Sequence, residues 1–393
     1  MRYDTMTQEG QAGAWQVFAY PFRIFFLSLA LLAVAAMPLW LAVITGHLQP
    51  PLALPALYWH QHEMLFAFLY AGVAGFLLTA VCVWTGTERL HGGWLLGLWL
   101  VWLAGRVLMA AGESAPTWLV FGVNLAFLPL VMVDAGWRIW HSRQLRQMVI
   151  LLVLGLLWMM QLGFLLQPGG PYAAVALVAT MLLMLIIGGR ITPAFSLAWL
   201  RNRGGTIEGI RTVPALEVSL VAGMVSVAAS VLLEYAHGIM FSALVTGLLV
   251  LVRILLWRGW RVVREPLLWI LHLSLLWVPL SLWLLAGSAA GWWHGTVWIH
   301  AAGVGAMGGL MLGVMSRVAL GHTGRPLQLA TAMVVAFIAV QGAAAVRVAA
   351  GLGALPWQAG LVLSTLFWVV AYGIFLVCYT RILVTPRVDG KPG

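Results

Sequence analysis

The sequence predicts an all-α polytopic membrane protein, and three observations predict it. Hydrophobic residues make up 63% of the 393 and charged residues only 8%, against about 25% charged in a soluble domain. The apolar residues gather into twelve segments, each meeting the roughly 20 residues that a helical span requires. The arginines fall in alternate loops between those segments, as they do when loops lie alternately on the two sides of a bilayer.

In chain order the segments run over 22–45, 57–84, 92–112, 115–140, 146–167, 171–193, 213–235, 237–258, 264–288, 294–317, 326–349 and 356–384. Loops near 46–56, 112–116, 168–171, 236, 289–293 and 350–355 contain no Lys or Arg. The alternate loops hold Arg89; Arg138, Arg143 and Arg146; Arg201, Arg203 and Arg211; Arg258, Arg261 and Arg264; and Arg325. Arg2 and Arg23 flank the start, and Arg387 and Lys391 the end. Both termini are therefore expected on the cytoplasmic side. Trp292, Trp293 and Trp298 cluster at one outer interface, where amphipathic rings settle. No cleavable signal peptide is visible over residues 1–20. The formal charge of +10 does not point to nucleic acid, because the arginines occupy short loops and not a soluble face. Cys82 and Cys378 lie within apolar segments and suggest neither a disulfide framework nor a Cys-x-x-C site.

The chain is read as one transmembrane domain over 1–393, with candidate repeats at 1–145, 146–260 and 261–393. His62 and His300 are 300 − 62 = 238 residues apart, and so are Gly86 and Gly324, each preceded by Thr. Pro38 and Pro279, Pro21 and Pro266, and Gly105-Arg106-Val107 and Val346-Arg347-Val348 match at similar offsets. Gly189-Arg190-Ile191 resembles Ser316-Arg317-Val318 more faintly.

Trp59-His60-Gln61-His62-Glu63-Met64 opens the second segment, and ionisable groups at such a place are costly and carry function. His60 and His62, two apart, point about 200° apart on a helix and serve different faces. His60 and Met64, four apart, share one. Imidazole ligates haem iron and copper, and thioether favours Cu(I). The plain alternative is a pair of interfacial histidines bonded to loop backbone. The repeat-related His300, opening the tenth segment, favours a metal or haem site over that alternative, because facing imidazoles suit bis-histidine haem. Gly303, Gly305, Gly308, Gly309 and Gly313 follow His300, and small residues there admit either a neighbouring helix or a flat macrocycle. His272, inside segment nine, is read first as a hydrogen-bonded core residue, with metal ligation or proton relay as alternatives. Arg106 and Arg347 lie toward the outer side, against the positive-inside rule, and want an anion: a haem propionate, Glu113 or lipid phosphate. Gly321-His322-Thr323-Gly324-Arg325-Pro326 reads as a helix stop followed by a proline start, with a role in anion or proton contact open. Glu63, Asp134, Glu217 and Glu234 are acidic groups near or within spans that suit a proton path. The metal candidates are thus His60, His62, His300, Met64, His272 and His322. The cofactor-binding candidates are His60, His62, His300, Arg106 and Arg347, and Glu63 is the candidate for catalysis.

Trp59-His60-x-His62-Glu63-Met64-Leu65-Phe66, Ala74-Gly75-Phe76-Leu77-Leu78-Thr79-Ala80-Val81, Trp84-Thr85-Gly86, Leu103-Ala104-Gly105-Arg106 and Arg317-Val318-x-Leu320-Gly321-His322-Thr323-Gly324-Arg325-Pro326-Leu327 together resemble the NnrS family. Cys82-Val83 departs from that pattern, which leads one to expect Pro-Asn before Trp84. The resemblance implies a bacterial twelve-span inner-membrane protein of the nitric oxide response and denitrification, containing haem b and copper. It implies a protein that binds or reduces nitric oxide, with an unidentified electron donor. The alternative function is a transporter of metal or of a metal–nitrosyl species, which twelve repeated spans fit equally. The architecture is also similar to that of haem–copper oxidases and nitric oxide reductases, whose low-spin haem is held by histidines of the second and tenth spans. Segment seven has no His-His pair and segment six no His, so the three-histidine copper site of those oxidases does not carry over.

Overall fold

The structure is a computed structural model that describes residues 15–205 and 208–391; Arg2 lies outside the described residues. Among the described residues, twelve helices are long and apolar enough to cross a membrane. They are α1 (Pro21–Ile44), α2 (Ala56–Thr85), α3 (Gly92–Ala111), α4 (Thr117–His141), α5 (Leu145–Leu166) and α6 (Tyr172–Asn202). Then come α7 (Pro214–Leu232), α8 (Ala236–Leu256), α9 (Pro266–Ala289), α10 (Val297–His322), α11 (Thr331–Gly351) and α12 (Trp357–Val384). No strand occurs among the described residues. In hydrocarbon only structures that satisfy their own backbone survive, which is why a chain this apolar becomes helices joined by short turns.

The main departures from the predicted spans have local causes. α6 runs nine residues past the expected end at 193, because its last turns are amphipathic. Leu200 packs with Val262 and Leu268, with Phe195 against the same cluster, and Trp199 Nε1 donates to Glu265 Oε2 at 3.0 Å. α10 continues to His322 and stops at Gly324, which adopts φ 72°; α2 likewise stops at Gly86, with φ 66°. A left-handed residue after the last turn is a common helix stop, and glycine adopts it without a Cβ penalty. Prolines 38, 129, 193 and 279 lie inside helices without ending them.

The chain forms two compact units, 1–151 with 315–333 and 372–393, and 152–314 with 334–371. In the first, α2 is the central helix: its most apolar window is 83% buried, against 28% for α3. α1 lies close on α2 because Gly75 offers no side chain; a Cβ there would sit 2.6 Å from Phe26 Cε1 and 3.2 Å from Phe25 Cβ. Trp99 Nε1 of α3 donates to Ser28 Oγ of α1 at 2.8 Å. Large apolar side chains such as Trp94 and Trp118 point outward, as expected where the solvent is lipid.

In the second unit α9 packs against α6, α8 and the start of α10. Trp277 Nε1 of α9 donates to Gln341 Oε1 of α11 at 2.6 Å, and Gln341 Nε2 to Ser274 Oγ at 3.2 Å. Arg253 of α8 is buried, paired with Glu217 of α7 through Nε at 2.8 Å, and donates to the Leu185 carbonyl of α6 at 2.8 Å. A buried charge in a bundle needs such partners.

Gly75→Val forces Phe26 off its seat against α2, an overpacking of about 1–3 kcal/mol. The expected result is a lower unfolding temperature in detergent with unchanged membrane insertion; an unchanged midpoint refutes the close-approach role.

Candidate functional site

The second span begins after Pro50, Pro51 and Pro55, which hold the entering chain extended until Trp59 N bonds the Pro55 carbonyl at 2.9 Å. The α-helical ladder holds through His62 and then widens to a π segment over Glu63–Ala67, closed by Phe68 N–H on the Glu63 carbonyl. Such segments concentrate at functional sites, because the extra residue re-aims the side chains on either side. The Ala67 carbonyl also accepts Trp102 Nε1 of α3 at 3.1 Å.

His62 is fully buried and Glu63 is 2% exposed. His62 Nδ1 lies 3.0 Å from Glu63 Oε1. The other carboxylate oxygen, Oε2, lies 3.1 Å from Arg106 Nε of α3. That contact is an ion pair rather than an aligned hydrogen bond, since the Arg106 Nε–H is not aimed at the oxygen. Arg106 Nη2 in turn donates to Asn124 Oδ1 of α4, and Asn124 Nδ2 to the Val120 carbonyl at 2.8 Å. Gly105 makes room for Asn124, since a Cβ there would sit 2.8 Å from its Oδ1. Four side chains from three helices thus form one buried chain, His62–Glu63–Arg106–Asn124. Glu113, expected as a partner for these arginines, instead lies exposed in the α3–α4 turn, its N–H on the Pro51 carbonyl at 3.2 Å.

His60 and His62 diverge as their spacing predicts. The His60 ring stacks on Trp40 of α1, with centroids 4.5 Å apart and planes 10° apart. Met64, half-buried, belongs to the π segment.

In the second unit His300 occupies the corresponding position of α10. Its Nδ1 lies 3.1 Å from the Thr296 carbonyl, and a π segment follows immediately over Ala301–Gly308. The glycines there divide. Gly305 meets the Trp277 ring, Gly308 Trp368, Gly309 Ser274 and Gln341, and Gly313 Ile270, so these four serve close packing. Gly303 alone of the five has no atom within 4 Å of where a Cβ would stand. Arg347 of α11 is 8% exposed, lies 4.2 Å from the centre of the Trp357 ring, and is paired with no carboxylate among the described residues. Ala301 follows His300 where Glu63 follows His62.

The remaining candidates stand apart. His272 Nε2 bonds Ser196 Oγ at 3.0 Å, as the core reading expects. Its Nδ1 is without a hydrogen-bond partner and packs against Gly259. The His322 ring rests on Tyr20 and Phe22. Asp134 is held by Arg138 at 2.8 and 2.9 Å and Glu217 by Arg253, so the acidic groups are paired locally; Glu234 sits in the α7–α8 turn at φ 53°. Among the described residues no three His, Cys, Asp or Glu side chains converge as a metal cluster would. Asn124 and Arg253 were missed from sequence: only their position on helix faces that the fold turns inward marks them.

The fold and these buried networks define a polytopic helical membrane protein with a carboxylate-bonded histidine at the mouth of its second span. The chain belongs to the NnrS protein family, whose family model matches residues 16–387, and which is associated with the nitric oxide response. Searches of curated proteins and of solved structures give no match.

Arg106→Ala leaves the Glu63 charge buried and unpaired, at a cost of about 3–5 kcal/mol. Arg106→Ala combined with Glu63→Gln is expected to regain a large part of that in unfolding experiments in detergent; additive losses rule out the pair.

Proposed function

We propose that this chain carries haem b and binds or reduces nitric oxide, protecting the cell against nitrosative stress. The observation that supports the reading is the state of two imidazoles. His62 donates Nδ1–H to the Glu63 carboxylate and His300 donates Nδ1–H to the Thr296 carbonyl. Both bonds put the proton on Nδ1 and the lone pair on Nε2. An imidazole that ligates a metal almost always has its second nitrogen held in this way. The donor set therefore fits haem, with His62 and His300 as ligating residues. Bound haem supplies an iron that accepts electrons and coordinates nitric oxide.

The chain's own residues have distinct roles in this proposal. Glu63 fixes the His62 tautomer and raises its basicity, so it is a positioning residue. Arg106 balances the charge of Glu63, and Asn124 orients Arg106. Arg347, buried beside Trp357 with no carboxylate, is the arginine suited to a propionate. Copper is proposed at His60 with Met64, whose thioether suits Cu(I). Conversion of two nitric oxide molecules to N2O and water takes two electrons and two protons, so a reductase also needs an electron donor and a proton path. The alternation of arginine-bearing loops supports both termini in the cytoplasm, and the family resemblance implies the bacterial inner membrane.

The test is an optical spectrum of the purified protein, reduced and then exposed to nitric oxide, with haem and copper counted per chain. The expected result is stoichiometric haem, a spectral change on nitric oxide addition, and haem loss in both His62→Ala and His300→Ala with insertion unchanged. Full retention of haem in both variants eliminates the ligand assignment, and a haem-free protein that moves metal across vesicles establishes transport instead.

Glu63→Gln keeps the shape but weakens the acceptor of His62 Nδ1–H. Haem or metal affinity is expected to fall about 10-fold, read by haem transfer to apomyoglobin; unchanged transfer removes the positioning role.

A further inference from the structure

A second buried polar cluster lies in the first unit, where α1 begins and α10 and α12 end. Arg23, fully buried in the first turn of α1, directs Nη1 to the carbonyls of Leu383 at 2.7 Å, Thr385 at 2.8 Å and Ile382 at 3.3 Å. It caps the carbonyl end of α12, the negative pole of that helix. Arg387 donates Nη1 to the His322 carbonyl at 2.6 Å and forks onto Asp389 through Nε at 2.9 Å and Nη2 at 2.6 Å. Val388 N–H bonds the Thr323 carbonyl at 3.2 Å, so this tail is pinned to the α10 turn. Asp389 lies against Gly324, where a Cβ would be 2.7 Å from its Cγ. Arg89 reaches in from the α2–α3 turn, with Nε on the Ala19 carbonyl at 2.9 Å and its guanidinium 4.4 Å from the centre of the Tyr20 ring. Arg325 completes the group. Its Nη2 touches Thr385 Oγ1 at 3.4 Å, and its buried Nη1 has no hydrogen-bond partner among the described residues.

The charges do not balance. Arg89, Arg325 and Arg387 all act on the charge of Arg23, and among the described residues the one carboxylate at the cluster is Asp389, held by Arg387. That contact lowers the Asp389 carboxyl to about 2, so it is an anion at any physiological pH, and both of its oxygens already accept from Arg387. Among the described residues the fold therefore brings four guanidinium groups together against one carboxylate and leaves one buried N–H donor, Arg325 Nη1, unmet. Leaving a charged donor unmet costs more than a neutral one, and guanidinium forks match oxyanions. A carboxylate ligand, with two oxygens in one plane, satisfies one fork. A phosphate presents oxygens on several sides and so meets arginines arriving from α1, the α2–α3 turn, the α10 turn and the tail.

We propose that Arg23, Arg89, Arg325 and Arg387 form a phosphate-binding site, with Arg325 Nη1 as the donor that the ligand completes. The phosphate comes from an acidic phospholipid headgroup or from a soluble phosphate compound, and the two sources separate experimentally.

The experiment uses the full chain in detergent, following unfolding temperature against inorganic phosphate and, separately, against dioleoyl phosphatidylglycerol, with sodium chloride at matched ionic strength as control. One of the two probes is expected to raise the midpoint by several degrees, as a ligand of the folded state does. A rise with phosphatidylglycerol alone assigns the site to lipid, and a rise with inorganic phosphate assigns it to a soluble ligand. Arg325→Gln is expected to lose most of the rise, whereas Arg146→Gln, exposed at the start of α5, keeps it. Asp389→Asn frees Arg387 and is expected to bind the active probe several-fold more tightly, an effect that a purely structural cluster does not produce. No rise with either probe, an equal rise in Arg325→Gln, or weaker binding in Asp389→Asn overturns the proposal.

Discussion

A carboxylate placed in a hydrocarbon layer must find a cation and hydrogen-bond donors, and Glu63 meets that demand through His62 on one oxygen and Arg106 on the other. The first unit is arranged around this contact. It fixes the rotation of α3 against α2, since Arg106 must face the π segment. It also fixes α4, since Asn124 must reach Arg106 over the bare backbone of Gly105. The Trp102 bond to the Ala67 carbonyl ties the same two helices one turn away. Apolar packing in a membrane has little direction of its own, because lipid tails compete with Leu and Val on equal terms. Directional polar contacts of this kind decide which helix faces meet.

The two histidine-bearing spans share a local construction with different chemistry around it. Each has an imidazole with Nδ1 bonded, a π segment starting at the next residue, and a left-handed Thr-Gly stop at the far end. In α2 the acceptor is a carboxylate backed by arginine. In α10 it is a backbone carbonyl, and Ala301 replaces the acid. Arg347 is left with an aromatic face where Arg106 has a carboxylate. Among the described residues the arginine charge is thus met by a carboxylate in the first unit and by an aromatic face in the second.

Buried arginine recurs through the molecule under one rule. Arg253 is neutralised by Glu217 and Arg106 by Glu63. Where the chain supplies the acid, the arginine is structural. At Arg347 and at the cluster around Arg325 the described residues supply fewer carboxylates than arginines, and anionic ligands are proposed there for that reason.

The sequence by itself determined the membrane class, the number of spans and most of their limits, because length, hydropathy and helix-stopping glycines are local properties of the chain. It also singled out His60, His62, Glu63, Arg106 and His300, because an ionisable residue stands out against an apolar background. It did not reveal that Glu63 bridges His62 to Arg106, that Asn124 completes the chain, or that Gly305 and Gly308 seat tryptophan rings. It placed the ends of α6 and α10 short, because amphipathic last turns look like loop until their partners are in place. The π segments were equally hidden: their cause is not a residue type but the fit of one helix against its neighbours. Partner choice, rotation about each helix axis and the local widening of a helix are settled by contacts between residues far apart in the chain, and only the tertiary structure holds those.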